Sequence, residues 1–359
     1  MLTPSRLKLT RLRRAMTLTD LARTSQIPLR TLSAYENGEH SPKPDMVRRL
    51  AEILEVTPAF LEREEIEFID PDAVSFRKLS KTTARLRDSA LAAGRFAIEI
   101  ADWNDDNFRL PKPDLPTLDK HDPDTAARIL RERWGLGEQP ISNVVHLVEA
   151  HGVRVFSVAS DCRDIDAFSF YRDGVPFIFL NVGVSGERQR FDCAHELGHL
   201  LLHMESDRAH GRDKEIEANR FAAALLMPER GVIAQGLREA TLEGIIAAKR
   251  YWMVSAMAMT HRLHEMRLIS DWNYRNTCVA LSSLGYRNGE PDGVNGERSQ
   301  VLSKIVRALR EDGVGPEAIC KDLGLTLDEL NRHIFGLAPH AVRGGGQRSP
   351  RQGVLQMVQ

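Results

Sequence analysis

At 359 residues the chain is too long for one small core and long enough for two or three domains. With 42% hydrophobic and 28% charged residues it falls in the globular range, away from disordered and fibrous classes. A net charge of −1 says nothing about partners, but its distribution does: residues 1–50 hold ten Lys or Arg against four Asp or Glu. A basic end on a neutral chain is the asymmetry expected of a nucleic-acid-binding module. The four cysteines, Cys162, Cys193, Cys278 and Cys320, form no CxxC pair. That spacing argues against a disulfide framework or a thiolate zinc site, and for reduced thiols in a cytoplasmic protein. No apolar run reaches membrane-span length and no apolar signal region follows the basic N-terminus, so no membrane partner is expected.

Residues 5–63 read as short helices. The apolar positions Leu7, Leu9 and Leu12 suit a helix starting near Pro4, and the pattern recurs at Leu18, Leu21 and Ala22, at Leu29, Leu32 and Tyr35, and from Met46 to Leu54. Asn37-Gly38 and Ser41-Pro42 mark turns. One longer helix is predicted over 80–107, followed by a proline-rich linker from Leu110 to Pro116. Asp122 or Asp124 is placed to cap a helix carrying Ala126, Ile129, Leu130 and Trp134, and a second helix follows over Ile141–Ala150. The period then changes. Strands are predicted at Val153–Val158, at Ala167–Phe170 and at Pro176–Leu180, the last introduced by Asp173-Gly174. Helical patterning resumes at Arg190 and runs to about 270, with a further helical patch over 299–336. The glycine-rich tail from 341 to 359 is expected to be disordered.

The chemistry concentrates in His195-Glu196-Leu197-Gly198-His199, an H-E-x-x-H motif. Residues four apart lie one above the other on a helix, so both imidazoles can reach one Zn²⁺. Glu196 projects beside them, placed to take a proton from a metal-activated water and deliver it to a leaving amine. Ala194, Leu197, Gly198 and Leu200 to Leu202 make the rest of the helix apolar, so the polar trio belongs in a core or cleft, where a metal satisfies it. A catalytic zinc wants a third protein ligand and an open position. The helix from Lys214 to Pro228 offers Glu215 and Glu217, which point in nearly opposite directions. Only one of them can serve, and spacing alone leaves the choice open. His203 continues the turn after His199 and suits packing or a supporting role behind the ligands.

These blocks, Arg188-Gln-Arg-Phe191, Ala194-His-Glu-Leu-Gly-His199 and Glu217-Ala-Asn-Arg-Phe-Ala-Ala-Ala-Leu-Leu-Met-Pro228, resemble the ImmA/IrrE family of metallopeptidase-like proteins over about 124–270. The resemblance implies a zinc site of His195, His199 and Glu217, with Glu196 as the catalytic carboxylate. It also implies a strand bordering the cleft, for which Phe177–Leu180 is nominated as an edge able to pair with a peptide. Residues 5–63 resemble Cro/C1-type helix-turn-helix modules through Met16-Thr-Leu-Thr-Asp-Leu-Ala22 and Leu29-Arg-Thr-Leu-Ser-Ala-Tyr-Glu-Asn-Gly38. Leu18 stands where that family commonly has a Gln that touches the DNA backbone. The second helix of the pair is expected in the major groove, with Arg30, Thr31 and Ser33 at base edges and Arg11, Arg13, Arg14 and Arg23 at phosphates. Glu36 is expected to hold the fold through an internal ion pair.

The expectation is a multidomain, mainly α protein. An all-α helix-turn-helix domain (1–65) leads through a connecting helix and linker (66–123) to an α+β zincin-like domain with a small sheet (124–275). A small helical unit (285–340) and the tail (341–359) follow. Asp322–Leu330 resembles a helix-turn-helix pair, with packing or dimerisation an equal alternative. Three functional readings stand. The first is a DNA-binding regulator whose Zn²⁺ site cleaves a repressor-like protein. The second is a transcription factor with a non-catalytic sensor domain, and the third one half of a toxin–antitoxin-like pair. Expected partners are operator DNA, a repressor-like substrate and a second copy, since one module buries little surface on DNA.

Overall fold

A computed structural model describes residues 1–71, 74–76, 83–158, 165–203, 211–287 and 289–338. Cys162 and the tail over 341–359 lie outside these residues. The first elements are α1 (Pro4–Arg13), α2 (Leu18–Ser25), α3 (Leu29–Glu36), α4 (Pro44–Ile53), α5 (Pro58–Leu61), β1 (Ser75–Phe76) and α6 (Ala84–Asn107). Then come α7 (Pro123–Arg133), α8 (Val144–Ala150), β2 (Arg154–Ser157), β3 (Ala167–Arg172), β4 (Val175–Leu180), α9 (Gly186–Leu202) and α10 (Gly211–Leu226). The last are α11 (Glu229–Ala234), α12 (Leu242–Trp252), α13 (Ala256–Glu265), α14 (Asp271–Ser283), α15 (Gln300–Glu311), α16 (Glu317–Leu323) and α17 (Leu327–Ile334). The protein is therefore mainly α-helical, with an all-helical N-terminal region, a central α+β region and a C-terminal helical unit.

The chain divides into two compact units, and the division does not follow chain order. One unit gathers Met1–Pro111, Phe156–Asp166 and the chain from Ser299; the other gathers Lys112–Val155 and Ala167–Arg298. The described residues from Ser299 to Ala338 thus pack with the N-terminal helices.

In the first unit, Leu7, Leu9, Leu21, Leu32, Leu50, Leu54 and Phe60 form the buried centre of the N-terminal helices. Polar caps set the helix starts: Thr17 and Asp20 form a capping box on α2, and Thr57 caps α5. The C-terminal helices join through a buried carboxylate. Glu329 on α17 accepts from Arg13 at 2.7 Å and Arg14 at 2.8 Å, and also meets His333 at 3.1 Å. Gly324, the left-handed cap of α16, sits against α5, where an added Cβ would lie 2.6 Å from the Phe60 backbone nitrogen. The Thr57 hydroxyl donates to the Gly324 carbonyl at 2.6 Å, and the Trp103 indole donates to Asp322 at 2.9 Å.

In the second unit a small sheet backs the helices. β3 and β4 pair antiparallel with Phe168 opposite Phe179 and Phe170 opposite Phe177, and the two cross-strand ring pairs lie 4.4 and 5.4 Å apart. β4 has β3 on one side and β2 on the other. Phe177–Leu180 is therefore an interior strand and not the peptide-binding edge expected from sequence, because its backbone groups are already committed to both neighbours. Ser185 caps α9, and Asp122 rather than Asp124 caps α7. Asp124 instead pairs with Arg220 and Arg262. The buried Arg190 anchors α9, donating to the Ile141 and Met253 carbonyls and pairing with Glu297, whose other oxygen accepts from the Val144 and Val145 amides that open α8. Among the described residues no helix is long and apolar enough to cross a membrane.

The Glu329 network sets a test of stability. Burial alone would raise this carboxyl, but Arg13, His333 and Arg14 outweigh it and hold it well below the usual range. A depressed folded value means the stabilisation is complete above the unfolded carboxylate pKa, near 4.3, and is lost as pH falls through the lower folded value. Glu329→Gln should cost about 3–5 kcal/mol at neutral pH, because it strands buried arginines. The deficit should shrink below about pH 4. Urea unfolding midpoints of wild type and variant across that range check both, and equal midpoints at pH 7 would refute the network's role.

Candidate metal centre and DNA-binding surface

The H-E-x-x-H residues lie in the second half of α9, where His195 and Glu196 are fully buried and His199 nearly so. The helix can carry them there because Gly198 leaves room for α10. A Cβ at that position would meet Phe221 Cδ1 at 2.9 Å and the Ala218 Cα at 3.4 Å. This close crossing brings a carboxylate from the first half of α10 to the imidazoles.

That carboxylate is Glu215. His195 Nε2 and His199 Nε2 lie 3.0 Å apart, Glu215 Oε1 is 3.2 Å from His199 Nε2, and Glu215 Oε2 is 3.5 Å from His195 Nε2. All three donor groups fall within 4.8 Å of one another. Zinc bonds of 2.0–2.1 Å in a tetrahedron put ligand atoms about 3.4 Å apart, so this donor set fits such an ion. Burial alone would raise the Glu215 carboxyl, but hydrogen bonds from both histidines reverse the shift and hold it far below the usual carboxylate range. The anionic form a cation needs is therefore the stable one.

Glu217 does not reach this cluster. Two residues further along α10 its side chain is turned about 200° from Glu215. It meets His203 Nε2 at 3.0 Å instead, with 44% of its side chain exposed. The remaining contacts explain why Glu215 faces inward. Four residues on, and so on the same face, Asn219 places Oδ1 3.1 Å from His195 Nδ1. A histidine that binds a metal through Nε2 carries its proton on Nδ1, and Asn219 is the acceptor that fixes this orientation. His203 takes the equivalent place behind His199, with the two Nδ1 atoms 2.9 Å apart.

Glu196 turns toward the sheet. Its Oε2 accepts from the Ser169 hydroxyl on β3 at 2.7 Å, and the same hydroxyl lies 3.3 Å from the Glu196 carbonyl. Sequence reasoning missed Ser169, Asn219 and the Glu215 assignment. The signals were present: a lone hydroxyl within the apolar run Ala167-Phe-Ser-Phe170, and the Glu215-x-x-x-Asn219 spacing that puts a ligand and a histidine acceptor on one helix face. Cys193, one turn before Leu197, is fully buried, and burial raises its thiol well above the usual value, so it is a packing residue and not a ligand.

In the first unit, α2 and α3 form the helix-turn-helix pair. Arg30 is exposed and Thr31 and Ser33 are half-buried on α3. Leu29, 49% exposed at the start of the same helix, is an apolar residue that the sequence pattern assigned to packing. The arginines expected at phosphates divide. Arg23 stays at the surface in an exposed pair with Asp20, which holds it only weakly. Arg11 is buried in a two-pronged pair with Glu36 at 2.7 and 2.8 Å, the internal ion pair foreseen for Glu36. Arg13 and Arg14 are committed to Glu329, and Arg14 also donates to the Leu54 carbonyl. These three do not face DNA, since swinging one out would strand a buried carboxylate.

Comparison with known proteins agrees with both modules. Residues 7–61 match the helix-turn-helix family, and residues 148–264 match the IrrE N-terminal-like domain, a peptidase family. The chain thus joins an N-terminal helix-turn-helix domain to an IrrE/ImmA-like domain. It is also 31% identical over 91 residues to an uncharacterised immunity region protein 2 of Bacillus phage phi105. The match covers 23% of this chain and 58% of the phage protein.

The geometry makes a prediction about metal content. Purified wild-type protein supplied with zinc should hold close to one ion per chain by elemental analysis. His195→Ala and Glu215→Ala should lose it, and Glu217→Ala should keep it under saturating zinc. Loss in Glu217→Ala with retention in Glu215→Ala would reverse the ligand assignment.

Proposed function

We propose that the protein is a DNA-binding regulator whose second unit is a zinc-dependent endopeptidase acting on a repressor-like or antitoxin-like protein. The observation that carries this reading is the joint placement of His195, His199 and Glu215 around one point, with Glu196 on the same helix and held from β3. His195, His199 and Glu215 would hold the zinc, which would supply a Lewis acid able to activate water near neutral pH. The protein's own groups then have distinct tasks. Asn219 orients His195, and Ser169 donates to one oxygen of Glu196 and fixes the plane of that carboxylate. Glu196 receives a proton at its carboxylate and returns it to the leaving amine. The burial of Cys193 and the leucines of α9 keeps the site in low dielectric, where these charge interactions are stronger than in water.

The helix-turn-helix module supports recognition of double-stranded DNA in a dimeric complex, with Arg30, Thr31 and Ser33 at base edges, Arg23 at phosphate and Leu29 able to meet a thymine methyl. The proposed setting is the cytoplasm. A sensor role without turnover is the second reading. The near-complete burial of His195, Glu196 and His199 favours it, because a polypeptide substrate needs open access to the ions and bases that cut it.

Incubation of the zinc-loaded protein with repressor-type proteins encoded beside its gene, read by mass spectrometry, separates the two. The endopeptidase reading expects defined fragments, with a rate falling by about 10²- to 10⁴-fold in Glu196→Gln while zinc stays bound. Fragments formed equally by wild type and Glu196→Gln, or none with any such protein, would leave the sensor reading.

For the DNA surface, Arg30→Ala should weaken binding to an operator in the protein's own promoter by about 1–3 kcal/mol and relax base preference at one position. Arg11→Ala should lower the unfolding midpoint instead. Fluorescence anisotropy with operator and scrambled duplexes reads both, and an Arg30→Ala variant that still discriminates like wild type would remove Arg30 from the base contacts.

A further inference from the structure

We infer that His203 and Glu217 form a positioning pair that fixes the orientation and tautomer of His199, so that Glu217 acts on the metal through two imidazoles rather than by binding it. The inference rests on the metal-site reading above and deepens it.

Proton accounting along the chain of contacts carries the argument. His199 and His195 present their Nε2 atoms to the same point, 3.0 Å apart. An imidazole that coordinates through Nε2 must carry its remaining proton on Nδ1, and that N–H needs an acceptor if it is buried. For His195 the acceptor is Asn219 Oδ1. For His199 the atom facing Nδ1 is His203 Nδ1, at 2.9 Å. Two ring nitrogens at that distance hold one proton between them, so with the proton on His199 the facing nitrogen of His203 is a lone-pair acceptor. The proton of His203 then sits on Nε2, where Glu217 Oε2 accepts it at 3.0 Å. Every polar ring atom of the two histidines is assigned, and the N–H groups donate in one direction only, from His199 to His203 and from His203 to the Glu217 carboxylate, which leaves His199 Nε2 facing the shared point.

Sequence geometry makes the pair possible. His203 lies four residues after His199 as the C-cap residue of α9, and Glu217 lies two residues after Glu215 on α10, where its carboxylate meets His203. The His203 side chain is buried while Glu217 is 44% exposed. The carboxylate keeps its charge at the solvent edge, and the imidazole carries its influence inward. Its absence would leave the His199 ring free to flip and present its nitrogens the other way round.

The test is zinc affinity, measured on the full chain by competition with a chromophoric chelator, alongside the visible spectrum of the cobalt-substituted protein. Glu217→Ala and His203→Phe should each weaken zinc binding by about 10- to 100-fold, the usual cost of removing such an outer partner. His203→Gln, whose amide oxygen can accept from His199 Nδ1, should recover most of the loss. The cobalt bands should shift in His203→Phe and return toward wild type in His203→Gln. Thermal unfolding of the metal-free variants controls for folding. Wild-type affinity and spectrum in both Glu217→Ala and His203→Phe would overturn the inference, as would equal losses in His203→Phe and His203→Gln, which would mark a packing role. Failure of the metal site itself reads differently: wild-type protein would then take up no zinc or cobalt.

Discussion

The second unit depends on how closely α10 crosses α9. Gly198 has no side chain to hold the helices apart, and Phe221 occupies the space a Cβ would need. At that separation a glutamate on α10 reaches imidazoles buried on α9, and an asparagine one turn later reaches behind one of them. A larger residue at 198 would press on the Phe221 ring and the α10 backbone at Ala218, and metal–ligand distances tolerate little displacement. The small residue inside the H-E-x-x-H motif is therefore part of the site, although it touches none of the chemistry. The cost of burying such a polar cluster is offset at three points, where Asn219, His203 and Ser169 each satisfy a group that the apolar surroundings would otherwise leave short.

The first unit uses buried charge differently. The basic N-terminus read from composition as a nucleic-acid surface is in good part an internal framework. Arg11 is spent on Glu36, and Arg13 and Arg14 on Glu329, which comes from more than 300 residues away in the chain. A buried ion pair contributes little net stability over an apolar replacement, but losing one partner is costly, and its geometry specifies one docking. The Glu329 network thus selects how α17 sits on α1, beside the stacked Phe60, Phe96 and His333 rings. What remains exposed on the helix-turn-helix pair is a smaller set, led by Arg30 and Arg23.

Much of this was legible in the sequence, and the parts that were not share a cause. Most of the helices, the strands β2 to β4 and the histidine pair follow from local periodicity and spacing, whereas the two-residue β1 is too short to leave a pattern. Glu36 as an ion-pair partner was also readable. The choice between Glu215 and Glu217 was not, because it depends on which face of α10 meets α9 and at which turn. The burial of Arg11, Arg13 and Arg14 was hidden for a similar reason: Glu36 lies 25 residues from Arg11, and Glu329 lies 316 residues from Arg13 and one fewer from Arg14. β4 read as an edge because a hydrophobic run cannot reveal how many neighbours it has.

The two glutamates of α10 are close in sequence and reach different histidine atoms. Both are acidic residues in the opening turns of one helix, both meet histidines of α9, and a motif counts them as near equivalents. On a helix, however, a shift of two residues reverses the direction of a side chain. Glu215 goes to the point the two Nε2 atoms share, Asn219 to the back of His195, and Glu217 to the histidine behind His199. One rigid helix therefore sets a ligand and both outer supports at once. A slip of α10 by a single residue against α9 would lose all three together, which is the constraint that makes a short run of side chains, from 215 to 219, specify the whole centre.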